Sequence, residues 1–194
     1  YVDGTNIGGS AFEAHVAHAA MALREGYCEV ALIVYSSDQK SLRSRNLGGR
    51  PSVLSMQHET PYGMPTPVGG YAMAAQRHMH EYGTTSENLA EIAVATRKWA
   101  QLNPAATRRD PLTVDDVLSS TMISEPLHLL DCCLVTDGAG AIVMTTAERA
   151  KNLRTKPVAV KGYGEAHTHW AIAEMPDLAR LLPAQKAGET AMKM

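Results

Sequence analysis

Six consecutive apolar residues, Val30-Ala31-Leu32-Ile33-Val34-Tyr35, constrain this chain more than any other stretch. A run that short and unbroken fits a strand buried on both faces, as in a parallel α/β sheet. The segment before it reads as a helix. Phe12, Val16, Ala19, Ala20 and Leu23 fall at helical spacing, and the alanines permit close packing. Ser10 and Glu13 have capping-box spacing, so each can satisfy an orphan amide of the first turn. Gly26 is placed to stop the helix after about Glu25. A helix leading into a buried strand points to the α/β class.

The remainder alternates loops with further elements. Pro51, Pro61, Pro65 and Pro67 argue for irregular backbone between Ser36 and Gly70. A helix is expected from about Tyr71 to Tyr82, stopped by Gly83. Thr84 and Glu87 then have capping-box spacing for a second helix, with an apolar stripe of Leu89, Ile92, Ala93, Thr96 and Trp99. Pro104 and Pro111 mark another loop, and Thr113 and Asp116 are placed to cap a short helix through Leu118. Ala139 to Met144 reads as sheet, Thr146 to Leu153 as helix and Pro157 to Gly162 as a further strand. Ala171 to Met194 is expected to be helical in part, interrupted by Pro176 and Pro183.

Composition excludes several function classes. With 194 residues, 45% hydrophobic and 20% charged, the chain has an ordinary globular mix. A net charge of −2 gives no footprint for nucleic acid. The most basic stretch, Lys40 to Arg50, is short and reads as a solvated loop. No apolar run approaches the ~20 residues that span a bilayer, and no signal peptide is visible. Cys28, Cys132 and Cys133 make no disulfide framework, so a reducing cytoplasm is the simplest location. Eight histidines raise the question of metal. His78 and His80 stand two apart on a helix and point to different faces; His167 and His169 lack a third ligand at recognisable spacing. No metal is expected.

Four segments in order resemble the thiolase superfamily, specifically its sterol-carrier, lipid-transfer branch. Gly4-Thr5-Asn6-Ile7-Gly8-Gly9-Ser10-Ala11 resembles the nucleophile loop. Tyr82-Gly83-Thr84-Thr85-Ser86-Glu87-Asn88-Leu89-Ala90 resembles a helix opening in the loop domain. Asp110-Pro111-Leu112-Thr113-Val114-Asp115-Asp116-Val117 resembles the segment leading back to the sheet. Leu130-Asp131-Cys132-Cys133 through Asp137-Gly138-Ala139 resembles the branch's Cys-Cys and Asp-Gly-Ala signature. The resemblance implies an α/β, thiolase-like βαβαβ fold with a mainly helical loop domain, incomplete here. Residues 1–36 and 130–153 would belong to the first half, residues 37–129 to the loop domain and residues 154–194 to the start of the second half. The segments carrying the family's C-terminal catalytic residues would lie beyond Met194.

In thiolases a helix N-terminus activates a cysteine that takes the acyl group; the dipole and free amides there stabilise a thiolate. The resemblance places Asn6 at that cysteine's position, and no cysteine stands between Tyr1 and Tyr27. Asparagine has no acidic proton, but it donates and accepts hydrogen bonds. Gly8, Gly9 and Ser10 are candidates for binding the CoA thioester. The resemblance sets Cys133 near the pantetheine arm, while Cys132 and Cys133 equally read as two small packed hydrophobes. Gly162-Tyr163-Gly164-Glu165-Ala166-His167 follows the expected last strand. Tyr163 and His167 are candidates for acid–base or hydrogen-bonding roles, against a plain glycine-rich turn. Val68-Gly69-Gly70-Tyr71 would lie over the acyl pocket, or else simply begin a helix.

Cysteine-less relatives in this branch include retro-aldolases that cut β-hydroxyacyl-CoA side chains, as in steroid degradation. They need a base for the β-hydroxyl and stabilisation of the departing enolate, not an acyl-enzyme. The first expectation is therefore such a lyase, acting on an acyl-CoA with no tightly bound cofactor. The family implies a homodimer and a small OB-fold partner subunit. Two alternatives are an acetyl-CoA acyltransferase using an unconventional residue, and a non-catalytic CoA- or lipid-binding subunit.

Overall fold

The structure, a computed structural model, describes residues 2–43, 57, 58, 60–63 and 67–194. In chain order its elements are α1 (Ala11–Arg24), β1 (Val30–Ser37), α2 (Val68–Tyr82), α3 (Ser86–Leu102), α4 (Val114–Ser119), β2 (Met122–Ser124), β3 (Leu127–His128), β4 (Gly138–Thr145), α5 (Ala147–Ala150) and α6 (Leu182–Lys193). Short 3-10 turns occur at Thr60–Tyr62, Leu129–Asp131 and Ile172–Glu174. The mixture of helix and strand is the expected α/β class. Two compact units form. One comprises Tyr1–Leu47, Val135–Ala166 and Leu182–Met194, the other Gly48–Leu134 and His167–Leu181. Part of the irregular stretch expected between Ser36 and Gly70, including Pro51 and Pro65, lies outside the described residues.

In the first unit α1 buries Ala11, Ala14, Ala17, Ala19, Ala22 and Leu23. The Phe12 ring meets Tyr35 of β1 edge-on, with centroids 5.1 Å apart. Gly26 ends the helix as expected: its φ is +73° and its N–H donates to the Leu23 carbonyl at 3.3 Å. The expected Ser10–Glu13 capping box is absent. A capping serine needs extended backbone to aim its hydroxyl at the third amide, whereas Ser10 is already helical, at φ −79° and ψ 0°. The turn before the helix is set instead by Gly8, whose φ of +79° favours glycine. Its carbonyl accepts from the Ala11 N–H at 3.1 Å.

β1 pairs antiparallel with β4, in register from Val30↔Thr145 to Ser37↔Gly138. This corrects the expectation of a parallel strand covered on both faces. An unbroken apolar run reports a preference for burial; it says nothing about the direction of the partner strand. Ala31 and Ile33 are half-buried on the side from which Tyr35, itself 54% exposed, meets Phe12 of α1, while Val30, Leu32, Val34 and the cross-strand Val143 are exposed. One end of the ladder is closed by Asp137. Its Oδ1 accepts from the amides of Lys40 at 2.9 Å and Ser41 at 3.1 Å, and its Oδ2 accepts from the Ser41 hydroxyl. At the other end the Thr145 hydroxyl donates to the Glu29 carbonyl at 2.8 Å, and Arg149 pairs with the Glu29 carboxylate at 3.0 Å.

Three further expectations fail in this unit. Pro157 to Gly162 forms no strand, and Val158 is 96% exposed; β-propensity needs a hydrogen-bonding neighbour to become a strand. The helix after Thr146 is one turn, Ala147–Ala150, rather than a segment reaching Leu153. Pro183 does not interrupt α6. It occupies the first turn, where its missing N–H costs nothing.

The second unit is mainly helical. α2 begins at Val68, three residues before the expected start, and ends on Gly83 with φ +69°. The capping box of α3 is shifted by one residue from the expected Thr84–Glu87 pair. Thr85 Oγ1 accepts from the Asn88 amide at 3.4 Å, and Asn88 Oδ1 accepts from the Thr85 amide at 3.0 Å. Thr84 instead hydrogen-bonds His78 Nδ1 at 2.8 Å. The buried face of α3 is also rotated from the expected stripe. Ala90 and Val94 are buried, while Ile92 and Trp99 are 66% and 75% exposed. They pack with fully buried Val117 of α4, flanked by Leu112, Val114, Leu118 and Leu130. Complete burial of a valine contributes about 1.5–3 kcal/mol. α4 carries the expected Thr113–Asp116 capping box, with Asp116 Oδ2 accepting from the Thr113 amide at 2.9 Å. The hairpin of β2 and β3 follows; no alternating pattern in the sequence announced it. Among the described residues no helix is long and apolar enough to cross a membrane.

Candidate active site

The sequence-selected residues divide between the two units. Asn6, Gly8, Gly9, Ser10 and Tyr163 lie in the first; Val68, Gly69, Gly70, Tyr71, Cys133 and His167 lie in the second.

Asn6 sits on an exposed loop that turns into α1. Its Oδ1 accepts from the Gly8 N–H at a long 3.4 Å, an Asx-type turn. That bond engages the amide oxygen and not the Nδ2 donors. Thr5, just before Asn6, is held from α1. His15 Nε2 lies 3.1 Å from the Thr5 amide nitrogen and 3.0 Å from its carbonyl oxygen. His18 Nδ1 lies 3.1 Å from Asp3 Oδ2 and 3.5 Å from Thr5 Oγ1. Sequence reasoning passed over both histidines. Their three-residue spacing on a helix that follows the loop was the available signal.

Tyr163 donates its phenol hydrogen to Glu165. Desolvation first, then the Glu165 hydrogen bond and the Glu165 and Glu13 charges, push its pKa up to about 12. The phenol is therefore a hydrogen-bond donor at neutral pH and a poor base. The glycines around it serve packing: a Cβ on Gly162 would overlap the Ala191 carbonyl oxygen, and one on Gly164 the Ala187 carbonyl oxygen.

In the second unit Gly69 and Gly70 are buried in the first turn of α2, and Tyr71 is 59% exposed. A Cβ on Gly70 would lie 3.2 Å from Cβ of Ile172, so the close approach at this glycine is to a side chain of the same unit. An open cavity of about 460 Å³ lies along α2, lined by Tyr62, Gly69, Ala72, Met73, Gln76 and Leu178 among others. Cys133 is exposed. Burial, then the charge of Asp131, then Cys133, raise the Cys132 thiol above its ordinary value, the opposite of what activates a nucleophile. His167 is exposed, and the neighbouring His169 Nδ1 contacts Thr168 Oγ1 at 2.8 Å. Among the described residues no group of three or more His, Cys, Asp or Glu could hold a metal ion.

No protein-family model matches the chain. Individual proteins do. A 17-hydroxy-3-oxo-4-pregnene-20-carboxyl-CoA lyase of Mycobacterium tuberculosis is 39% identical over 162 residues, which is 79% of this chain and 42% of that protein. The solved structure of an Ltp2-ChsH2(DUF35) aldolase superposes with a TM-score of 0.81 at 34% identity, over 95% of this chain and 49% of that one. A monomeric SCP2-thiolase-like protein type 1 from Mycobacterium smegmatis shares the fold, with a TM-score of 0.71 at 19% identity, over 97% of this chain and 40% of that one. The chain thus spans about half the length of the proteins it matches. The chain belongs to the thiolase superfamily, in its SCP2-thiolase branch.

Proposed function

We propose that the protein to which this chain belongs is an acyl-CoA carbon–carbon lyase, a retro-aldolase that shortens a β-hydroxyacyl-CoA side chain of the steroid or lipid type. The observation that carries the reading is Asn6: the residue at the nucleophile position has no acidic proton, and its carbonyl oxygen is engaged by the Gly8 amide. Similarity to a steroid acyl-CoA lyase and to an aldolase supports it.

The reaction balances without an acyl-enzyme. A base removes the β-hydroxyl proton, the C–O bond becomes C=O and the Cα–Cβ bond breaks. The electron pair passes to Cα and onto the thioester oxygen, and Cα is then protonated. A ketone and a shorter acyl-CoA leave. What the protein must supply is donors aimed at the developing enolate oxygen. The Asn6 Nδ2 group and the amides of the Gly8-Gly9-Ser10 turn are of that kind. Tyr163 stays protonated at neutral pH with its hydrogen given to Glu165, so its oxygen can accept from and orient the substrate rather than supply a proton. His167 keeps its proposed acid–base or hydrogen-bonding role, and Cys133 and Val68–Tyr71 their proposed role in binding CoA or substrate. The coenzyme enters as part of the substrate, with no tightly bound cofactor. A homodimer in the cytoplasm and an OB-fold partner subunit complete the proposal; the similar Ltp2-ChsH2(DUF35) aldolase is itself named for two components.

The test is incubation of the full protein, with partner supplied, with a β-hydroxyacyl-CoA. A shorter acyl-CoA and a ketone are expected in equal amounts. An absence of cleavage under those conditions overturns the reading.

A further inference from the structure

We propose that His15 and His18 of α1 are positioning residues for Asn6, clamping the loop before it so that the Asn6 amide is presented to substrate. The inference rests on the lyase reading for its activity arm and on geometry alone for its structural arm.

Ser10 makes no side-chain cap, and the entry to α1 is held by the Ala11 N–H donating to the Gly8 carbonyl at 3.1 Å, which leaves Asp3 to Ile7 to be fixed by other bonds. The loop's own hydrogen bonds are few. Gly4 N–H donates to Asp3 Oδ1 at 2.8 Å, and Gly8 N–H to Asn6 Oδ1 at 3.4 Å. What ties it down comes from one face of α1. His15 and His18 stand about one and two turns into α1, and both are half-buried, as is Thr5. His15 uses Nε2 on the backbone of Thr5, the residue bonded to Asn6. One ring nitrogen facing both an N–H and a C=O is satisfied in either tautomer. As an acceptor it takes the Thr5 amide hydrogen, and as a donor it gives to the Thr5 carbonyl. His18 uses the other ring nitrogen, Nδ1, on Asp3 and Thr5 Oγ1. His15 therefore holds the Thr5 backbone and His18 the Asp3 and Thr5 side chains, while the exposed Asn6 side chain hydrogen-bonds to neither histidine.

The choice of ring atoms supplies a test that a general loss of packing does not mimic. A glutamine places its amide near where Nε2 stood, and an asparagine near where Nδ1 stood. In the full protein with its partner, His15→Ala is expected to lower kcat by about 10- to 100-fold, the scale on which small misplacement slows an oriented reaction. KM should change by no more than about twofold, because the binding contacts are not removed. His15→Gln should recover most of the loss and His15→Asn little. At His18 the order reverses, with Asn recovering more than Gln. Amide hydrogen exchange over residues 3–10 of the same proteins gives a readout independent of turnover, faster in His15→Ala and near wild type in His15→Gln. Equal exchange in the Gln and Asn variants, or wild-type exchange in His15→Ala, overturns the proposal. If wild-type protein cleaves no β-hydroxyacyl-CoA, the lyase reading falls and the exchange arm alone decides the clamp.

Discussion

Gly164 lies against Ala187 so closely that a Cβ on it would overlap the Ala187 carbonyl oxygen and stand 2.8 Å from the carbonyl carbon. Gly162 meets Ala191, one turn further along α6, in the same way. Two glycines two apart thus seat an extended segment on a helix whose facing residues are alanines. Adding a methyl group here forces backbone apart. Gly164→Ala is expected to destabilise by about 1–3 kcal/mol, the usual cost of overpacking. A denaturant midpoint measured on that variant and on the exposed control Gly138→Ala, which meets nothing within 4 Å, checks the contrast.

Helix starts give a second contrast. Thr85 caps α3 through the Asn88 amide, whereas Ser10 makes no cap on α1. Thr85→Ala should cost about 1 kcal/mol, and Ser10→Ala only a few tenths. Thermal unfolding of the two variants side by side tests this. A loss at Ser10 equal to that at Thr85 contradicts the geometry.

Asp137 holds the end of the β1–β4 ladder by accepting from Ser41 and Lys40. The Ser41 hydroxyl, followed by the Ser41 and Lys40 amides and the Lys40 charge, keeps its carboxyl below the usual aspartate range. A depressed folded pKa means stabilisation that is fully present above the unfolded value and is lost as pH falls through the folded one. The melting temperature of wild type should exceed that of Asp137→Ala at pH 7, and the gap should close as pH falls below about 4, the ordinary aspartate value. A gap independent of pH would show that the carboxylate charge is not what holds Ser41.

Tyr163 carries the opposite sign. Its pKa near 12 means that the phenol stays protonated while ordinary tyrosines, near 10, ionise. Its stabilisation is present below the unfolded value and is lost as pH rises through about 12. Ultraviolet titration should show one fewer phenolate between pH 10 and 11 than the tyrosine count allows, and Tyr163→Phe should leave the curve in that range unchanged. A drop in amplitude there on substitution contradicts the Glu165 hydrogen bond.

Much of the fold could be read from residues acting locally. Gly26 and Gly83 stop helices because each needs a positive φ, and Thr113 with Asp116 caps α4 through bonds spanning three residues. What depends on a distant partner was not legible. The direction of β1 is set by β4, more than a hundred residues away, and no pattern within Val30–Tyr35 encodes it. The buried stripe of α3 passes through Ala90 and Val94 because Val117 and Leu130 come close there. Bulky Ile92 and Trp99 drew the sequence reading to the wrong face. At the candidate site, the Gly-Gly-Ser turn marked where the loop that carries Asn6 enters α1. The histidines that hold it were not legible, since their hydrogen bonds reach back 10 to 15 residues.

The proposed reaction is carbon–carbon cleavage without an acyl-cysteine, with Asn6 in the nucleophile's place. It is tested most directly by intact mass spectrometry of the full protein and its partner during turnover of a β-hydroxyacyl-CoA. The expected result is a shorter acyl-CoA and a ketone accumulating while the protein mass stays unchanged. A protein that gains an acyl group on the reaction timescale, with or without product, contradicts it.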